Sequence, residues 1–323
     1  ICKSIWFMRQ AGRYLPEFQV IRSKNPDFIN LCLNSNLCCE ITLQPLKRYD
    51  LDSAIIFSDI LLVPYALGQE VKFIKNEGPT LSNFKMEKFL SNNKSNFIQK
   101  LSPIYKAITK TRKNLNEEKS LICFIGAPWT LIIYMMNLKQ GKNDINLLRL
   151  DKYRSEIDAI LDELVEYLCL HVEKQIEAGA DVVQIFDSWA GLIPKTELSN
   201  LCYKPNAKLV DFCRKKKIPT ICFPKGIMKN YFEFNKIVRS DGLNLDYNVD
   251  LVWAKKNLNN VTLQGGMNPM VLLNSEKEIY TEAKKYLDTF KNLPYIFNLG
   301  HGLVPETNPD KLEKLIKFIR EYK

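Results

Sequence analysis

The sequence predicts a closed parallel (β/α)8 barrel, and three observations support this. Short apolar runs alternate with helical segments along the 323 residues, which is typical of a parallel α/β sheet. Polar residues or glycines directly follow most of these runs, as expected at the C-terminal face of a barrel. No Gly-x-Gly-x-x-Gly follows the first run, which argues against a dinucleotide-binding sheet. We therefore expect residues 1–323 to form a single barrel domain.

Seven apolar runs are good strand candidates because each is short and bounded by polar residues or glycine. They are residues 54–57, 121–125, 182–186, 219–223, 242–245, 261–264 and 295–299. An eighth strand is less clearly marked, and Val71–Ile74 is its candidate. Asp59, Asp187, Ser188 and His301 each lie just past a predicted strand, at the face where such barrels place their sites.

Helices are predicted between the strands from apolar spacing and end signals. Residues 97–115, 151–178 and 277–290 have helical spacing, and Gly179 ends the second of these segments. Asp27 is expected to cap a helix that runs through residue 33. His171, inside the long helix, is predicted to be a packing or surface residue rather than a ligand.

Two arginines near the N-terminus are four residues apart. Arg9 and Arg13 flank Gly12, and Pro16 is expected to interrupt any helix here because it breaks the hydrogen-bond ladder. In a helix or a tight turn, both guanidinium groups can face one side. Such a pair suits a carboxylate or phosphate, although a solvated pair with loose surface ion pairs is the alternative.

Composition limits the possible classes of protein. The 46% hydrophobic content is ample for a buried core, and nine scattered cysteines with only two histidines disfavour a zinc site or a disulfide scaffold. The net charge of +10 is spread without an aromatic-basic RNA-binding motif. An anionic small-molecule substrate, or mere compositional bias, accounts for it, so no nucleic-acid partner is expected.

The sequence does not decide the cellular compartment of the protein. No apolar run reaches transmembrane length, so we expect a soluble protein with no membrane partner. The chain opens at Ile1 without methionine, and we expect an upstream segment in which any targeting peptide would lie. Cytoplasm and plastid stroma are both compatible with this expectation.

The stretch Trp-Phe-Met-Arg-Gln-Ala-Gly-Arg-Tyr-Leu-Pro-Glu-Phe, at residues 6–18, resembles the N-terminal signature of the uroporphyrinogen decarboxylase family. Further blocks resemble the same family in the same order and span nearly the whole chain. They lie at residues 38–45, 55–61, 126–131 with Tyr134, 186–191, 263–265 and 298–302. The resemblance implies a barrel enzyme of haem biosynthesis that converts uroporphyrinogen III to coproporphyrinogen III and CO2.

The implied chemistry removes four acetate carboxyl groups from pyrrole rings. Each step protonates the ring carbon, and the resulting cation acts as the electron sink while CO2 leaves, so we expect no cofactor and no metal. The protein must bind a macrocycle with eight carboxylates, supply protons and stabilise positive charge on the pyrrole. Asp59 is the candidate for that last role, facing the pyrrole N–H groups. Its alternative role is a helix N-cap, which Ser58 could fill equally well.

The remaining site candidates follow from the resemblance together with side-chain chemistry. The catalytic candidates are Asp59, Arg9, Tyr134 and His301. The substrate-binding candidates are Arg9, Gln10, Ala11, Gly12, Arg13, Arg22, Asp59, Tyr134, Ser188 and His301. The proton donor stays open, because Arg9 would need a substrate carboxylate as relay. We expect His301, between two glycines, to titrate near neutral pH.

Two of these candidates have a structural role as the alternative to a functional one. The chain also differs from the family at two places. Tyr134 could be a core residue with a satisfied hydroxyl, and Ser188 a turn-forming serine. Residues 137–143 stand where the family commonly has a glycine-rich loop, which puts the flexibility of a lid there in doubt. Trp189 stands where some members carry histidine.

Two other functions would leave different marks in the sequence. A methyltransferase of the same superfamily would need a Cys/His set for zinc, which the sequence does not present. A nonenzymatic tetrapyrrole- or RNA-binding barrel would be marked by loss of Asp59 or of an arginine, and these residues are present. The resemblance also implies a homodimer with the two clefts facing each other.

Overall fold

The computed structural model describes residues 4–74, 78–140 and 144–322, and its main sheet has eight parallel strands. The strand order is the one expected when successive strands wind round a barrel. In order round the sheet they are β1 (Ser4–Ile5), β12 (Tyr295–Phe297), β11 (Thr262–Gly265), β10 (Gly242–Leu245), β9 (Thr220–Pro224), β8 (Val182–Asp187), β5 (Ser120–Gly126) and β2 (Ser53–Ile55). The barrel prediction is confirmed.

The first and last strands of this order, β1 and β2, meet at a seam held by Asp52. The Asp52 N–H donates to the Ile5 carbonyl over 3.0 Å, and the Asp52 carboxylate accepts the Ile5 N–H over 2.6 Å. Arg320 also donates to this carboxylate, over 2.9 Å. These contacts replace a regular strand ladder and bring the barrel close to closure.

The prediction that Val71–Ile74 is the eighth barrel strand was wrong. Val71–Ile74 (β3) pairs antiparallel with Gly78–Leu81 (β4) in a hairpin outside the barrel. The eighth barrel strand is β1, which pairs in parallel with β12. Two residues are too few to show a period of apolar side chains, so the sequence hides this strand. A second small hairpin joins β6 (Lys139–Gln140) to β7 (Asp144–Ile145).

Helices alternate with the barrel strands. They are α1 (Pro16–Lys24), α2 (Phe28–Cys32), α3 (Ser35–Arg48), α4 (Leu62–Ala66), α5 (Met86–Leu90), α6 (Lys94–Asn114), α7 (Pro128–Met135), α8 (Leu147–Asp151), α9 (Ile157–Glu177), α10 (Lys204–Lys215), α11 (Tyr231–Val238), α12 (Leu251–Asn257), α13 (Glu276–Thr289) and α14 (Pro309–Glu321). The helices expected over 97–115 and 277–290 are confirmed as α6 and α13. The helix expected over 151–178 is confirmed from residue 157 as α9, but turns at residues 152–156 separate it from α8. Asp27 caps α2 by accepting the Asn30 N–H over 3.0 Å, as predicted.

Pro16 begins a helix rather than interrupting one, which corrects the expectation for the arginine stretch. It is the first residue of α1, where a missing N–H has no effect because that group lacks a partner within the helix anyway. The residues before it form tight turns, including a bond from the Leu15 N–H to the Gly12 carbonyl over 3.0 Å. Arg9 and Arg13 are therefore presented by a loop.

His171 is a packing residue, as predicted. Its ring is buried in α9, and Nδ1 lies 3.0 Å from the Tyr105 hydroxyl. Burial lowers the pKa of His171 to about 3, so the ring is neutral at physiological pH.

The barrel interior contains both apolar and amide side chains. Trp6, Ile122 and Phe223 belong to a small apolar cluster separate from the main core. The Trp6 indole N–H donates to Gln264 Oε1 over 2.9 Å, and Gln264 Nε2 donates to Asn244 Oδ1 over 2.6 Å. All these side chains are almost fully buried, so the barrel is filled and a substrate site must lie at its mouth.

Candidate active site

The chemically functional side chains converge at the C-terminal end of the barrel. Each follows, or lies in the helix after, a different strand. Arg9 follows β1, Asp59 follows β2, Tyr134 lies in α7 after β5, Ser188 follows β8, Lys225 follows β9 and His301 follows β12. The charges of Asp59 and Tyr134 affect the pKa of Arg9, and those of Arg9 and Lys225 affect the pKa of His301, as expected for side chains at the same end of the barrel.

The side chain of Gln10 supports the loop that carries Arg9. The Gln10 side chain is fully buried, accepts the Phe7 N–H over 3.0 Å and donates to the Ser53 carbonyl over 2.9 Å. Contact of this side chain with a substrate would require both bonds to break. Arg9 itself has φ of 62°, in the left-handed region that is uncommon for a non-glycine residue. Gln10 therefore helps to hold Arg9 in an unusual backbone conformation.

The Arg9 side chain lies against the loop that carries His301. A Cβ atom on Gly302 would lie 2.3 Å from Arg9 Cδ, so any larger residue there would require the Arg9 side chain to move. The loops are also tied by a bond from the Leu303 N–H to the Met8 carbonyl over 2.9 Å, and by Asn298 Oδ1, which accepts the Met8 N–H over 2.9 Å. These contacts fix the position of Arg9 relative to His301.

Arg9 is accessible to solvent, but neighbouring groups at the mouth of the barrel shield its guanidinium from part of the bulk water. Removal from bulk water lowers the pKa of Arg9, the Asp59 carboxylate opposes this shift and the Arg13 charge adds to it. The proximity of Asp59 and Arg13 to Arg9 is the main electrostatic feature of the cleft.

Asp59 is half-buried and held by its own turn. Its Oδ1 accepts the Leu61 N–H over 2.8 Å in the turn before α4. The N-cap of α4 is Leu61 rather than Asp59, so the helix N-cap role considered from the sequence is not the one that Asp59 has. Within the described residues, Oδ2 makes no hydrogen bond. Removal from water raises the pKa of Asp59 to about 6, while the Leu61 N–H and Arg9 oppose the rise. One oxygen thus fixes the carboxylate and the other is available to a ligand.

His301 is neutral, which corrects the expectation that it titrates near pH 7. Its Nδ1 accepts the Gly302 N–H over 2.7 Å, so the ring proton is on Nε2. Burial lowers the pKa of His301 to about 3, and the positive charges of Arg9 and Lys225 add to this effect. His301 can therefore donate a hydrogen bond at neutral pH without carrying charge.

Tyr134 is half-buried beside Trp189, with the ring centroids 6.1 Å apart in an edge-to-face arrangement. Burial raises the pKa of the Tyr134 phenol, so it remains protonated and can donate a hydrogen bond. The Lys139 ammonium lies 5.4 Å from the Trp189 ring centroid. The altered segment 137–143 thus starts beside this aromatic pair, and its residues 141–143 lie outside the described residues.

Asp187 has a structural role that supports Ser188. Its buried carboxylate accepts hydrogen bonds from Thr130 Oγ1 over 2.7 Å, Asn206 Nδ2 over 3.1 Å and Cys202 Sγ over 3.3 Å. With both oxygens occupied, Asp187 anchors the end of β8. Ser188, the next residue, is half-buried at the mouth.

Arg13 and Arg22 differ in their availability. Arg13 is exposed and near enough to Arg9 to lower its pKa. Arg22 donates to the Asn25 carbonyl, and its guanidinium carbon lies 5.6 Å from the Phe28 ring centroid. The half-buried Ala11 and Gly12 have backbone N–H groups that find no acceptor among residues 4–74, 78–140 and 144–322. The loop therefore offers N–H groups as well as guanidinium groups.

Lys225 is a cleft residue that sequence reasoning missed. It stands in Pro224-Lys225-Gly226, directly after a predicted strand, as the other site residues do. That position was a usable signal. The sequence does not show that this lysine shares the cleft with Arg9 and His301, because the three residues follow different strands.

The described part of the chain contains no cluster of three or more His, Cys, Asp and Glu residues suited to a metal ion. Its cysteines are all free. None of its helices combines the length and the apolar character needed to cross a membrane.

The fold and the cleft together define a class: a parallel α/β-barrel enzyme with a carboxylate and several cations at the C-terminal mouth. The family model for uroporphyrinogen decarboxylase (URO-D) matches residues 4–322. The chain belongs to the uroporphyrinogen decarboxylase family.

Relatives are similar over nearly their whole length. The chain is 42% identical to the uroporphyrinogen decarboxylase of Orientia tsutsugamushi (strain Ikeda), covering 98% of this chain and 94% of that protein. It is also 42% identical to the uroporphyrinogen decarboxylase of Rickettsia felis, covering 98% of this chain and 93% of that protein.

Solved structures share the fold at low sequence identity. A methyltransferase from Methanosarcina mazei has a TM-score of 0.77 at 16% identity, covering 94% of this chain and 90% of that one. A putative vitamin-B12-independent methionine synthase from Listeria monocytogenes has a TM-score of 0.59 at 12% identity, covering 100% of this chain and 96% of that one. At such identities the likeness concerns the fold alone.

Proposed function

We propose that the protein removes the four acetate carboxyl groups of uroporphyrinogen III, giving coproporphyrinogen III and CO2 without a cofactor. The observation that carries this proposal is the geometry of Asp59. One of its oxygens is fixed by the Leu61 N–H, the other is free of hydrogen bonds within the described residues, and Arg9 is close enough to lower its pKa. A fixed, desolvated carboxylate suits the transient cation of this reaction.

Asp59 receives the pyrrole N–H groups in this proposal. With a pKa of about 6, the group is mostly ionised at pH 7 and above. The ionised form accepts hydrogen bonds from the pyrrole N–H groups and attracts the positive charge that develops when the ring carbon is protonated. In a cleft with little water, this attraction is stronger than in bulk solvent.

The carboxylates of the macrocycle are held by cations and neutral donors around the mouth. Arg9 and Arg13 supply charge, while the backbone N–H groups of Ala11 and Gly12 supply hydrogen bonds. Tyr134, Ser188 and His301 supply neutral donors. A mixture of charged and neutral donors binds an anion and fixes its orientation. Gln10 acts indirectly, because its side chain supports the loop that carries Arg9. Arg22 adds positive charge at the edge of the cleft.

Arg9 also takes part in proton delivery. Its lowered pKa makes the guanidinium a better acid than a free arginine side chain. A substrate carboxylate that is bound to Arg9 relays the proton to the ring carbon, so the guanidinium need not touch that carbon itself.

Product analysis tests the proposed reaction. The protein is incubated anaerobically with uroporphyrinogen III and a chelator, and the oxidised products are separated by carboxylate number beside an enzyme-free control. We expect the seven- to four-carboxylate series to appear only with protein. A bound but unchanged octacarboxylate would contradict the reaction and leave a tetrapyrrole-binding barrel.

We further propose a homodimer in which the two clefts face each other. Large apolar side chains are exposed near the C-terminal ends of β9, β10 and β11, where a partner would cover them. They include Met228, Phe232, Tyr247, Val252 and Met270. Light scattering at micromolar concentration should give twice the chain mass for the wild type. Val252→Lys should give a mass closer to that of one chain. A wild-type monomer would contradict the dimer.

The cellular location belongs to the same proposal. We propose a soluble enzyme of the cytoplasm or the plastid stroma, since a haem-pathway enzyme with a water-carried substrate functions in either. Imaging of the tagged full-length protein in its own cells distinguishes the two compartments, and a membrane-bound signal would contradict both.

A further inference from the structure

Lys225 enters the cleft from the side opposite Arg9. Lys225 directly follows β9, and Arg9 lies four residues after the end of β1. In the sheet order β1-β12-β11-β10-β9, four steps separate these strands of an eight-stranded barrel, which is half of the way round. The two cations therefore approach the mouth from opposite walls.

The backbone of Lys225 is rigidly held. Its N–H donates to the Asp187 carbonyl over 3.1 Å, and its carbonyl accepts the Gly191 N–H over 2.9 Å. Gly191 packs so closely on Gly226 that a Cβ atom on it would lie 2.8 Å from the Gly226 Cα. Lys225 is thus presented by a fixed support rather than by a mobile surface loop.

The Lys225 ammonium has no ion-pair partner among the described residues. The side chain is half-buried, and no described carboxylate oxygen lies within 4.0 Å of it. Asp246, the acid that most affects it, is already occupied. Asp246 accepts the Gly226 N–H over 2.8 Å, the Asn248 N–H over 3.0 Å and the Tyr231 hydroxyl over 3.4 Å. A shielded cation without a partner favours binding of an anion.

The strand order locates this cation away from Asp59. Three steps of the sheet order separate β9, which Lys225 follows, from β2, which Asp59 follows, so the two side chains do not come from adjacent strands. The charge of Lys225 also adds to the lowering of the His301 pKa, so Lys225 and His301 share this end of the barrel. In the proposed reaction, that region meets the periphery of the macrocycle, where its carboxylate side chains are.

We propose that Lys225 is a substrate-binding residue that holds a propionate carboxylate of the macrocycle, an inference that rests on the proposed function. Loss of CO2 removes the charge of an acetate, so an ammonium bound to that acetate would stabilise the substrate more than the transition state. A propionate keeps its charge throughout all four steps. Lys225 can hold it without opposing the reaction.

The test uses coproporphyrinogen III, which carries propionates and no acetates. Lys225→Gln removes the charge, Lys225→Arg keeps it, and Lys229→Gln is the matched control, since Lys229 is exposed on the same loop. Binding of coproporphyrinogen III is measured by anaerobic equilibrium dialysis, and kcat and KM are measured with uroporphyrinogen III. Circular dichroism melting confirms that each variant is folded.

For Lys225→Gln we expect about tenfold weaker coproporphyrinogen binding and about tenfold higher KM, with kcat within about twofold of wild type. Lys225→Arg should recover most of the binding, and Lys229→Gln should match wild type. If Lys225→Gln is unfolded, Lys225→Met replaces it in the same measurements.

Unchanged coproporphyrinogen binding with a raised KM would overturn the proposal, because an acetate would then be the partner. A fall in kcat alone would overturn it as well. The dialysis needs no turnover, so a wild-type protein that binds coproporphyrinogen but does not decarboxylate uroporphyrinogen contradicts the proposed function and not this assignment.

Discussion

Asp59 and His301 are expected to control the pH dependence in different ways. The pKa of Asp59 is raised to about 6 and that of His301 is lowered to about 3, so Asp59 is the group that changes charge near neutrality. Because the ionised carboxylate is the active form, kcat/KM should fall as pH falls through about 6. Rate measurements from pH 5 to 8 on wild type and on His301→Gln check this, since the acidic limb should persist in the variant. A limb that disappears with His301 would assign it to the imidazole.

Asp59 should also reduce stability above its pKa. Its raised pKa means that the folded state favours the protonated form, so ionisation destabilises the fold as pH rises from about 4 to above 6. Asp59→Asn keeps an oxygen for the Leu61 N–H and removes the charge. We expect its melting temperature to exceed that of wild type by a few degrees at pH 8 and by little near pH 4. Equal gains at both pH values would show that the charge is not the cause.

Single-residue roles were predictable where position alone decides them. Arg9, Asp59, Ser188 and His301 were selected because they stand in family motifs or just after strands, and the structure places them at one end of the barrel. The neutrality of His301 was not predictable, because its pKa is lowered first by burial in the fold and then by cations that follow two other strands. Those distances exist only in the folded chain.

At the scale of elements, the loops after β1 and β12 act as one unit. Gly302→Ala should displace Arg9, because the added Cβ would lie 2.3 Å from Arg9 Cδ. We expect kcat/KM to fall about 10²-fold with little change in the melting temperature. A double-mutant cycle with Arg9→Ala provides the control. If Gly302 acts through Arg9, the double variant should be no slower than Arg9→Ala alone; additive losses would contradict this route.

Elements with a long periodic pattern were predicted well, and short ones were not. The helices α6, α9 and α13 were found because each buries an apolar stripe over three or more turns. The strand β1 was missed because its two residues show no alternation. Val71–Ile74 was assigned to the wrong sheet, since strand propensity does not reveal which partner a strand will pair with.

At the scale of the whole molecule, the seam between β1 and β2 should limit stability. Asp52→Ala removes the acceptor for the Ile5 N–H and one partner of Arg320. We expect a loss of about 1–2 kcal/mol, seen as a melting temperature lowered by a few degrees in one transition if residues 1–323 form a single domain. Asp52→Asn retains an oxygen for Ile5 and should lose less. Two separate transitions would contradict a single domain.

The net charge of the chain does not by itself identify the cations that would bind a substrate. The net charge of +10 agrees with an anionic substrate, but it could equally reflect composition. Most of the lysines in ion pairs lie on the outer surface, for example Lys94 with Glu166 and Lys216 with Glu173. Arg9 was identified from its motif, whereas the fold is needed to identify Lys225 as a further cation at the mouth.

The central claim is that the Asp59 carboxylate acts on the pyrrole during decarboxylation. The most direct test is the rate at which the seven-carboxylate product appears from uroporphyrinogen III, compared between wild type and Asp59→Asn, with coproporphyrinogen binding measured in parallel. We predict a rate lower by about 10²- to 10³-fold in the variant, with the fold and the binding of propionates largely retained. A variant that reacts within about twofold of the wild-type rate would contradict the claim.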